Sequence, residues 1–448
     1  MKKIFFDALF FLVLLIFGNP FPAKCQGKFE VILPQNGSAY ARQNPSGNYD
    51  VALEADSMIV ILDSAGQIFA SRNYSIGISN FKVDSAARIW CGGRVHNGFV
   101  FDAATCLIDG NLDTIWTRKF PTTYAGSTII DVELDTTGNF YFAFLDNVPG
   151  VSNYYSIFAL DQSGDSLLNF RCSAITDFII TEDSKIVRLE TNIDLQQISI
   201  IKSDLQGNLI WRTDISDTNT VGGIDDFIAY AVGEATDGTF IVGGGHQIQP
   251  GYFYQYAIRI DGVSGDTLYT RTFNKGYFTT MIPTSDGGFA ATSEMELFRF
   301  DSALNVLWTR NYTGLGSAFA VSLQETSDHG FLIAGSTHDT TFTSNPYYPY
   351  VVKTDSVGNS LSTGLNSLNN SLAISVFPNP FTFSCRLQVP CFESELRLFD
   401  MTGKCMHMEV LTGNHPVFYR NNLPAGFYLL RLSCGEKLFL QTKLVIVD

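Results

Sequence analysis

The chain has 448 residues, with 44 acidic against 29 basic side chains and a formal net charge of −15. So acidic a surface argues against nucleic acid or anionic lipid as a partner and favours solubility. Only 16% of residues are charged, while 13% are aromatic and 38 are glycine, a profile that suits short strands and tight turns and leaves little room for amphipathic helix.

At the N-terminus, Lys2 and Lys3 precede an apolar run over 8–17, followed by Gly18, two prolines and small residues around Ala23-Lys-Cys-Gln-Gly27. This is the layout of a secretory signal peptide, expected over 1–25. The run is shorter than the roughly 20 apolar residues that a spanning helix needs, and we expect no transmembrane segment in the mature chain. Asp7 is atypical for such a leader, and lipidation at Cys25 is disfavoured by Lys24 immediately before it.

A repeat follows over 29–365, with two turn signals in each unit. The first introduces a strand: Pro45-Ser-Gly47, Asp84-Ser-Ala86, Asp135-Thr-Thr-Gly138, Glu182-Asp-Ser184, Asp237-Gly238, Asp286-Gly-Gly288 and Asp328-His-Gly330. The second follows another β run: Asp63-Ser-Ala-Gly66, Asp109-Gly110, Asp161-Gln-Ser-Gly164, Asp204-Leu-Gln-Gly207, Asp261 to Gly265, Asp301-Ser-Ala303 and Asp355-Ser-Val-Gly358. Trp116, Trp211, Tyr269 and Trp308 recur shortly after it. Asp can accept backbone hydrogen bonds within a turn and Gly can take positive φ, so the pairing has a physical cause. Seven units at a period of about 49 residues, four antiparallel strands in each, predict an all-β fold, a seven-bladed β-propeller over 28–365. Residues 28–33 are expected to supply the outer strand of the last blade and so remove two open sheet edges. A parallel β-helix would need a shorter period and an immunoglobulin array units of about 90–100 residues.

In such a fold the Asp/Gly turns share one rim, short and uniform. The second connections lie on the opposite rim: Asp146 to Tyr155, Gln247 to Tyr254 and Thr337 to Tyr348 are long and mix Pro, Asn and Gly with aromatic rings. Variable loops on a rigid ring are where binding concentrates. The candidate ligand-binding residues are therefore Tyr154, Tyr155, Tyr252, Phe253, Tyr254, Tyr347 and Tyr348. The competing reading is that these rings begin third strands and pack between blades.

Catalytic and metal signals are poor. His96, His246 and His338 leave second strands of non-consecutive units, where convergence with carboxylates is not expected, and His329 reads as a solvated turn residue. Asp225-Asp226 and Asp109/Asp113 lack the alternate-oxygen spacing of a calcium loop. No Gly-x-Ser-x-Gly, His-Glu-x-x-His or Walker sequence occurs. Neither a catalytic residue, a metal nor a cofactor is expected. Of eight cysteines, Cys25 leaves with the leader; Cys91, Cys106 and Cys172 lie in the first half, and Cys385, Cys391, Cys405 and Cys434 near the C-terminus. They can be disulfide-bonded in an oxidising compartment or buried as thiols.

After a Ser/Asn-rich linker at 360–371 come four spaced pieces: Val376-Phe-Pro-Asn-Pro380, Leu396-Arg-Leu-Phe-Asp-Met-Thr-Gly-Lys404, Leu423-Pro-Ala-Gly-Phe-Tyr-Leu-Leu-Arg-Leu432 and Lys443-Leu-Val-Ile-Val447. In order and spacing they resemble the type A C-terminal sorting domain of type IX secretion cargo, over 372–448, with Phe377 where the family usually has Tyr. The residues carrying the resemblance are Pro378, Asn379, Pro380, Gly403, Lys404, Gly426, Tyr428 and Lys443. The apolar alternation there suits a small immunoglobulin-like β-sandwich, with Gly426 expected where a side chain would crowd the backbone. The repeats in turn resemble the Asp-Gly-Gly-Phe…Asp-x-x-Gly-Asn…Trp units of secreted propellers in such cargo, without the Gly-His and Trp-Asp pairs of WD40 blades. Asp63-Ser-Ala65, Asp84-Ser-Ala86, Asp301-Ser-Ala303 and Asp355-Ser-Val357 resemble an O-glycosylation acceptor triplet, although turns favour Asp-Ser anyway. The resemblance implies engagement of the type IX machinery and a place outside the cell or on its outer surface. The expected function is binding or adhesion, to a glycan or protein not identified by sequence. The alternative is a propeller enzyme acting on an extracellular glycan or lactone, which would need polar residues converging on the central channel.

Overall fold

The computed structural model describes residues 27–33, 35, 37–97, 100–121, 126–147, 153–192, 197–216, 227–249, 252–338, 347–360, 376–377, 379, 381–387, 393–400, 404–412, 416–434 and 437–447. The expected leader, most of the linker, Cys391, Pro378, Pro380 and Gly403 lie outside these residues, as do the side chains of Tyr252, Cys434 and Lys443.

All regular structure among the described residues is β, and residues 29–353 form seven four-stranded antiparallel sheets, the blades of a propeller. The inner strands, in blade order, are Ala39–Gln43, Gly77–Val83, Ser127–Leu134, Ile175–Ile180, Phe227–Glu234, Thr280–Pro283 and Ala318–Glu325. Neighbouring inner strands touch around the ring, the seventh meeting the first. In the seventh sheet the strand beside Tyr347–Lys353 is Phe29–Ile32 from the other end of the chain. The expected closure is thus present, and Tyr350 donates its hydroxyl to Glu30 Oε2 at 2.6 Å across it.

The turns explain themselves locally. Asp63 Oδ1 accepts from the N–H groups of Ala65 (2.8 Å) and Gln67 (2.9 Å), and Gly66 takes φ 76°. The same pair of bonds recurs at Asp84, Asp109, Asp135, Asp161, Asp204, Asp301 and Asp355. The left-handed position is the fourth residue of the turn, so at Asp109 it falls on Leu112 (φ 68°) and not on Gly110. Burial of Leu112 in the core between the first two blades holds it in a conformation that disfavours L-residues. His329 takes the same position in its own turn (φ 62°), with its side chain exposed.

Two further regularities tie turns to strands. Lys202, Arg259, Arg299 and Lys353, each two residues before a second-turn Asp, pair with the first-turn acids Asp183, Asp237, Asp286 and Asp328 of their own blades. Aromatic residues of outer strands reach the next blade's turn: Trp116 Nε1 donates to Gln162 O (3.1 Å), Trp211 Nε1 to Gly262 O (3.3 Å) and Tyr269 Oη to Ser302 O (2.6 Å). These three rings are therefore interblade staples, apolar on their faces and bonded at their tips.

The C-terminal unit has a three-stranded sheet (Val376–Phe377, Ser384–Leu387, Val417–Tyr419) and a four-stranded one (Glu393–Phe399, Cys405–Thr412, Gly426–Cys434, Lys437–Ile446). Cys385, Leu387 and Phe418 from the first pack with Leu398, Leu430 and Leu444 from the second, so this is a small β-sandwich. Asn379 Oδ1 accepts from Val445 N–H at 2.8 Å, which bonds the opening motif to the closing one. Lys404 N–H donates to Asp400 Oδ1 (3.0 Å), and Tyr428 Oη to Pro424 O (2.8 Å). Gly426 opens its strand as expected, and the constraint there is one of backbone rather than of space: an added Cβ would meet only Tyr428 Cε2, at 4.0 Å, but φ is 159°, which residues with a side chain rarely adopt. Cys91, Cys106, Cys172, Cys385 and Cys405 are free thiols, the first two directly opposed across adjacent strands.

Candidate functional site in the central channel

In five blades the ladder between inner and second strand slips by one residue, between Ile78 and Asn80, Ile129 and Asp131, Ile175 and Asp177, Ala229 and Ala231, and Ala320 and Ser322. A β-bulge of this kind re-aims the side chains that follow it. Here polar residues two apart, Asn80 and Lys82, Asp131 and Glu133, then Asp177, line the central channel together with Arg42 of the first blade. The space they enclose measures about 580 Å³, within the usual range for a small-molecule site.

Hydrogen bonds cross between blades along this wall. Asn80 Nδ2 donates to Asp131 Oδ1 (2.6 Å), Lys82 Nζ to Glu133 Oε1 (2.7 Å), and Val232 N–H to Asp177 Oδ2 (2.7 Å). Arg42 donates to Ser322 Oγ (3.0 Å) and to its neighbour's carbonyl, Ala41 O (2.9 Å). Glu234 accepts from Glu182 N–H (2.8 Å), and Glu325 from Ser285 N–H (2.7 Å). The Nε2 amide of Gln43 is buried with no partner at hydrogen-bond distance, and such a group is costly unless something fills it; the second oxygen of Asp131, which no N–H reaches, belongs to a carboxyl in hydrogen-bond contact with Asp177.

The charge environment follows from this crowding. Burial pushes the Asp177 carboxyl well above the usual carboxylate range, and the adjacent Asp131 pushes it further. Burial also raises Glu133, with Lys82 opposing, and lowers the Arg42 guanidinium against the pull of Glu133 and Asp131. Asp177 therefore keeps a proton where an exposed aspartate has lost it.

This has a stability consequence. A folded-state pKa raised above the unfolded value stabilises fully below the unfolded pKa, and that stability is lost as pH rises through the folded one. In Asp177→Asn the amide oxygen can accept from Val232 while its N–H faces Asp131. Urea denaturation at several pH values is expected to show the wild type losing stability relative to this variant as pH rises from about 4, at up to about 1.4 kcal/mol per pH unit. Parallel pH profiles would show that Asp177 is ionised throughout.

One aromatic ring lines the channel, with two more packed behind it. Tyr230, 38% exposed, lines the cavity at the bulge of the fifth blade. Its ring lies 5.5 Å from Tyr277, which lies edge-on to Phe253 at 6.3 Å. Gly245 makes room for this row, since a Cβ there would stand 2.7 Å from Tyr277 Cβ and 3.3 Å from Phe253 Cδ1.

The rim residues are thus divided. Tyr154 is exposed beneath the Arg171 guanidinium, 4.8 Å from its ring centre, and Tyr347 is exposed against His338. Tyr155 packs on the core between the third and fourth blades, while Phe253, Tyr254 and Tyr348 are half-buried. The connection expected from Gln247 to Tyr254 is shorter than anticipated, because strands run to Gln249 and from Tyr252, leaving 250–251 to join them. The seven residues sit on the third, fifth and seventh blades, and Phe253 is the one with a described ring path to the channel. His96 packs on Phe101 in the second blade, away from the other two rim histidines on the fifth and seventh.

Sequence reasoning missed Arg42, Lys82, Asp131, Glu133, Asp177 and Tyr230. A signal existed in two units: polar residues four and two positions before the first-turn Asp, as Asn80 and Lys82 before Asp84 and Asp131 and Glu133 before Asp135.

Residues 375–447 match a protein-family model described as the secretion system C-terminal sorting domain. No curated protein matches the chain. Among solved structures the chain is similar to the WD40 repeats of RRP9, at 10% identity over 72% of this chain and 97% of that one, with a TM-score of 0.52. It is also similar to the Pan2 WD40 domain of Neurospora crassa, at 7% identity over 75% and 95% respectively, with a TM-score of 0.51. At these identities the likeness is one of fold alone. The sorting domain marks the protein for export out of the cell by the type IX route, secreted or attached to the surface.

Proposed function

We propose that this type IX cargo, a seven-bladed propeller ahead of a C-terminal sorting domain, is an extracellular binding protein that takes a glycan in its central channel. The observation that carries the reading is the row of rings Phe253, Tyr277 and Tyr230 running into a cavity lined by a buried amide with unused bonding capacity. A sugar ring offers apolar C–H faces to lie on tyrosine and hydroxyls that both donate and accept. Gln43 Nε2 supplies an uncommitted donor, and the Asp131 and Asp177 carboxyls supply polar groups elsewhere around the same cavity. Tyr154 and Tyr347 are further contacts at the rim, suited to an extended ligand.

The enzyme alternative has one observation in its favour, a carboxyl that holds its proton beside another carboxylate, the arrangement that acid–base chemistry uses. Turnover of a bound glycan would identify it.

A glycan array probed with the secreted protein tests the binding reading. Tyr230→Ala and Phe253→Ala are each expected to weaken a positive signal by about 1–2 kcal/mol, roughly 5–30-fold. The fold should be little changed, because neither ring is fully buried. Loss on Tyr154→Ala and Tyr347→Ala alone would move the site to the rim, and an array without any wild-type signal would refute the glycan reading.

A further inference from the structure

We infer that Cys91 and Cys106 are joined by a disulfide in the exported protein, closed while the second blade folds and stabilising that blade once sealed inside it. The inference stands apart from the binding reading above.

The first argument is position. Cys91 lies on Ile89–Asn97 and Cys106 on Val100–Ile108, the two middle strands of the second blade, and the register sets them directly opposite one another. Opposed residues of an antiparallel pair have Cα atoms about 4.5–5.5 Å apart, within the roughly 4.4–6.8 Å that a disulfide spans. The two thiols, free in this structure, are already in hydrogen-bond contact with each other. The other cysteines with a described register face no cysteine: Cys172 lies opposite Tyr155, Cys385 opposite Phe418 and Cys405 opposite Phe399.

The second is the compartment. The sorting domain sends the chain out through the cell envelope, where disulfides form and persist, whereas a chain kept in the cytosol would hold the same pair as thiols.

Burial fixes when the bond can form. Cys91 is 0% and Cys106 1% exposed, in the core between the first two blades with Ile59, Ile78 and Phe81. Burial raises the Cys91 thiol well above its ordinary value, and Cys106 and Asp50 push the same way. A buried thiol that keeps its proton does not exchange with an oxidant it cannot meet. Closure therefore belongs to the interval after the hairpin over 89–108 has formed and before the neighbouring blade covers it. The oxidant is a disulfide, carried by a protein or a small molecule of the envelope. The Cys91 thiolate attacks one of its sulfurs and expels the other; the Cys106 thiolate then attacks the Cys91 sulfur and expels the first. Two thiols of this chain give up two electrons and two protons, which leave on the oxidant as two thiols.

Peptide mapping of the secreted protein, denatured and alkylated without reductant, should return residues 91 and 106 as one linked pair that reductant separates. Alkylation of both thiols without reductant, or a link from either to another cysteine, would overturn the inference. Oxidised glutathione present while the reduced full-length chain refolds from urea should close the bond, while the same reagent added to the folded, reduced protein should leave both thiols intact. Equal yields in the two orders would overturn closure during folding. The bonded chain should unfold about 4 °C above its reduced counterpart of the same sequence, as a closed loop of roughly 16 residues implies for a domain of this size. An unchanged midpoint would remove the stabilising role. Should refolding fail, the map of the secreted protein decides alone whether the bond exists.

Discussion

A chain ending at residue 370 is expected to fold its propeller and remain inside the cell envelope. Every strand of the seven blades lies within 29–353, and the core of the C-terminal sandwich is drawn wholly from 381–446, so the deletion takes away no blade strand. What it removes is the sorting domain at 375–447. In a strain with a type IX system, fractionation should find the truncated protein in the periplasm and almost none outside, a near-complete loss of export. Normal extracellular levels of the truncation would show that the address lies elsewhere. Removal of the domain after translocation, expected near 360–371, would appear as an intact mass lacking that tail.

The largest stability effect is expected at Asp328. The Lys353 side chain is 0% exposed, and its Nζ meets both Asp328 oxygens, at 2.9 and 3.0 Å, and donates to Thr354 O at 2.6 Å. Burial lowers the pKa of Lys353, and the bonds to Asp328 oppose that pull. Asp328→Ala therefore leaves a buried ammonium without its counter-ion, and such changes cost about 3–5 kcal/mol. The sign of the pH effect follows. With the acid gone, desolvation dominates and the folded-state pKa of Lys353 falls below its unfolded value, so the unfolded chain binds more protons and stability rises with pH. Chemical denaturation should show the deficit shrinking from pH 7 toward pH 10. Lys353→Met is expected to cost less, because Asp328 is 28% exposed and still accepts from Thr326 Oγ1 and Gly330 N–H. A deficit below about 0.5 kcal/mol in Asp328→Ala, the range of ordinary surface changes, would mean that the pair is not buried in solution.

The contrast between these features shows which physics is legible in sequence. The Asp turns were, because a carboxylate bonding N–H groups two and four residues ahead is a local event, repeated in six of the seven blades. The closing strand was, because an incomplete last unit leaves an edge that must be paired. The bases two residues before the second-turn Asp recur in the last four blades, yet their meaning depends on a strand pairing within the blade. The channel was hidden for a further reason. A bulge changes which face a side chain serves, and Asp131 and Asp177 each follow one, so strict alternation misassigns them. Tyr230 sits in the bulge itself, where its ring reads as an ordinary strand residue. At Gly426 the motif was read as crowding, whereas the space around it is open and the requirement lies in its φ of 159°.

The strand that completes the ring is the first part of the propeller to be made. Phe29–Ile32 waits for Tyr347–Lys353, so the partners of the latch are separated by nearly the whole domain, as the bond between Glu30 and Tyr350, 320 positions apart, illustrates. Bringing them together carries a loop-closure penalty that grows only slowly with length, but it cannot begin until the last blade exists. An unfinished chain therefore presents an open edge at each end for as long as it is being delivered. The same arrangement limits where the expected leader can be cut. Lys28 pairs with Asp355 at 3.0 Å and Phe29 packs on Tyr49 of the first blade, so a cut ahead of Lys28 preserves the latch. A cut only a few residues later would leave a ring of seven sheets with one strand missing and its seam unsealed.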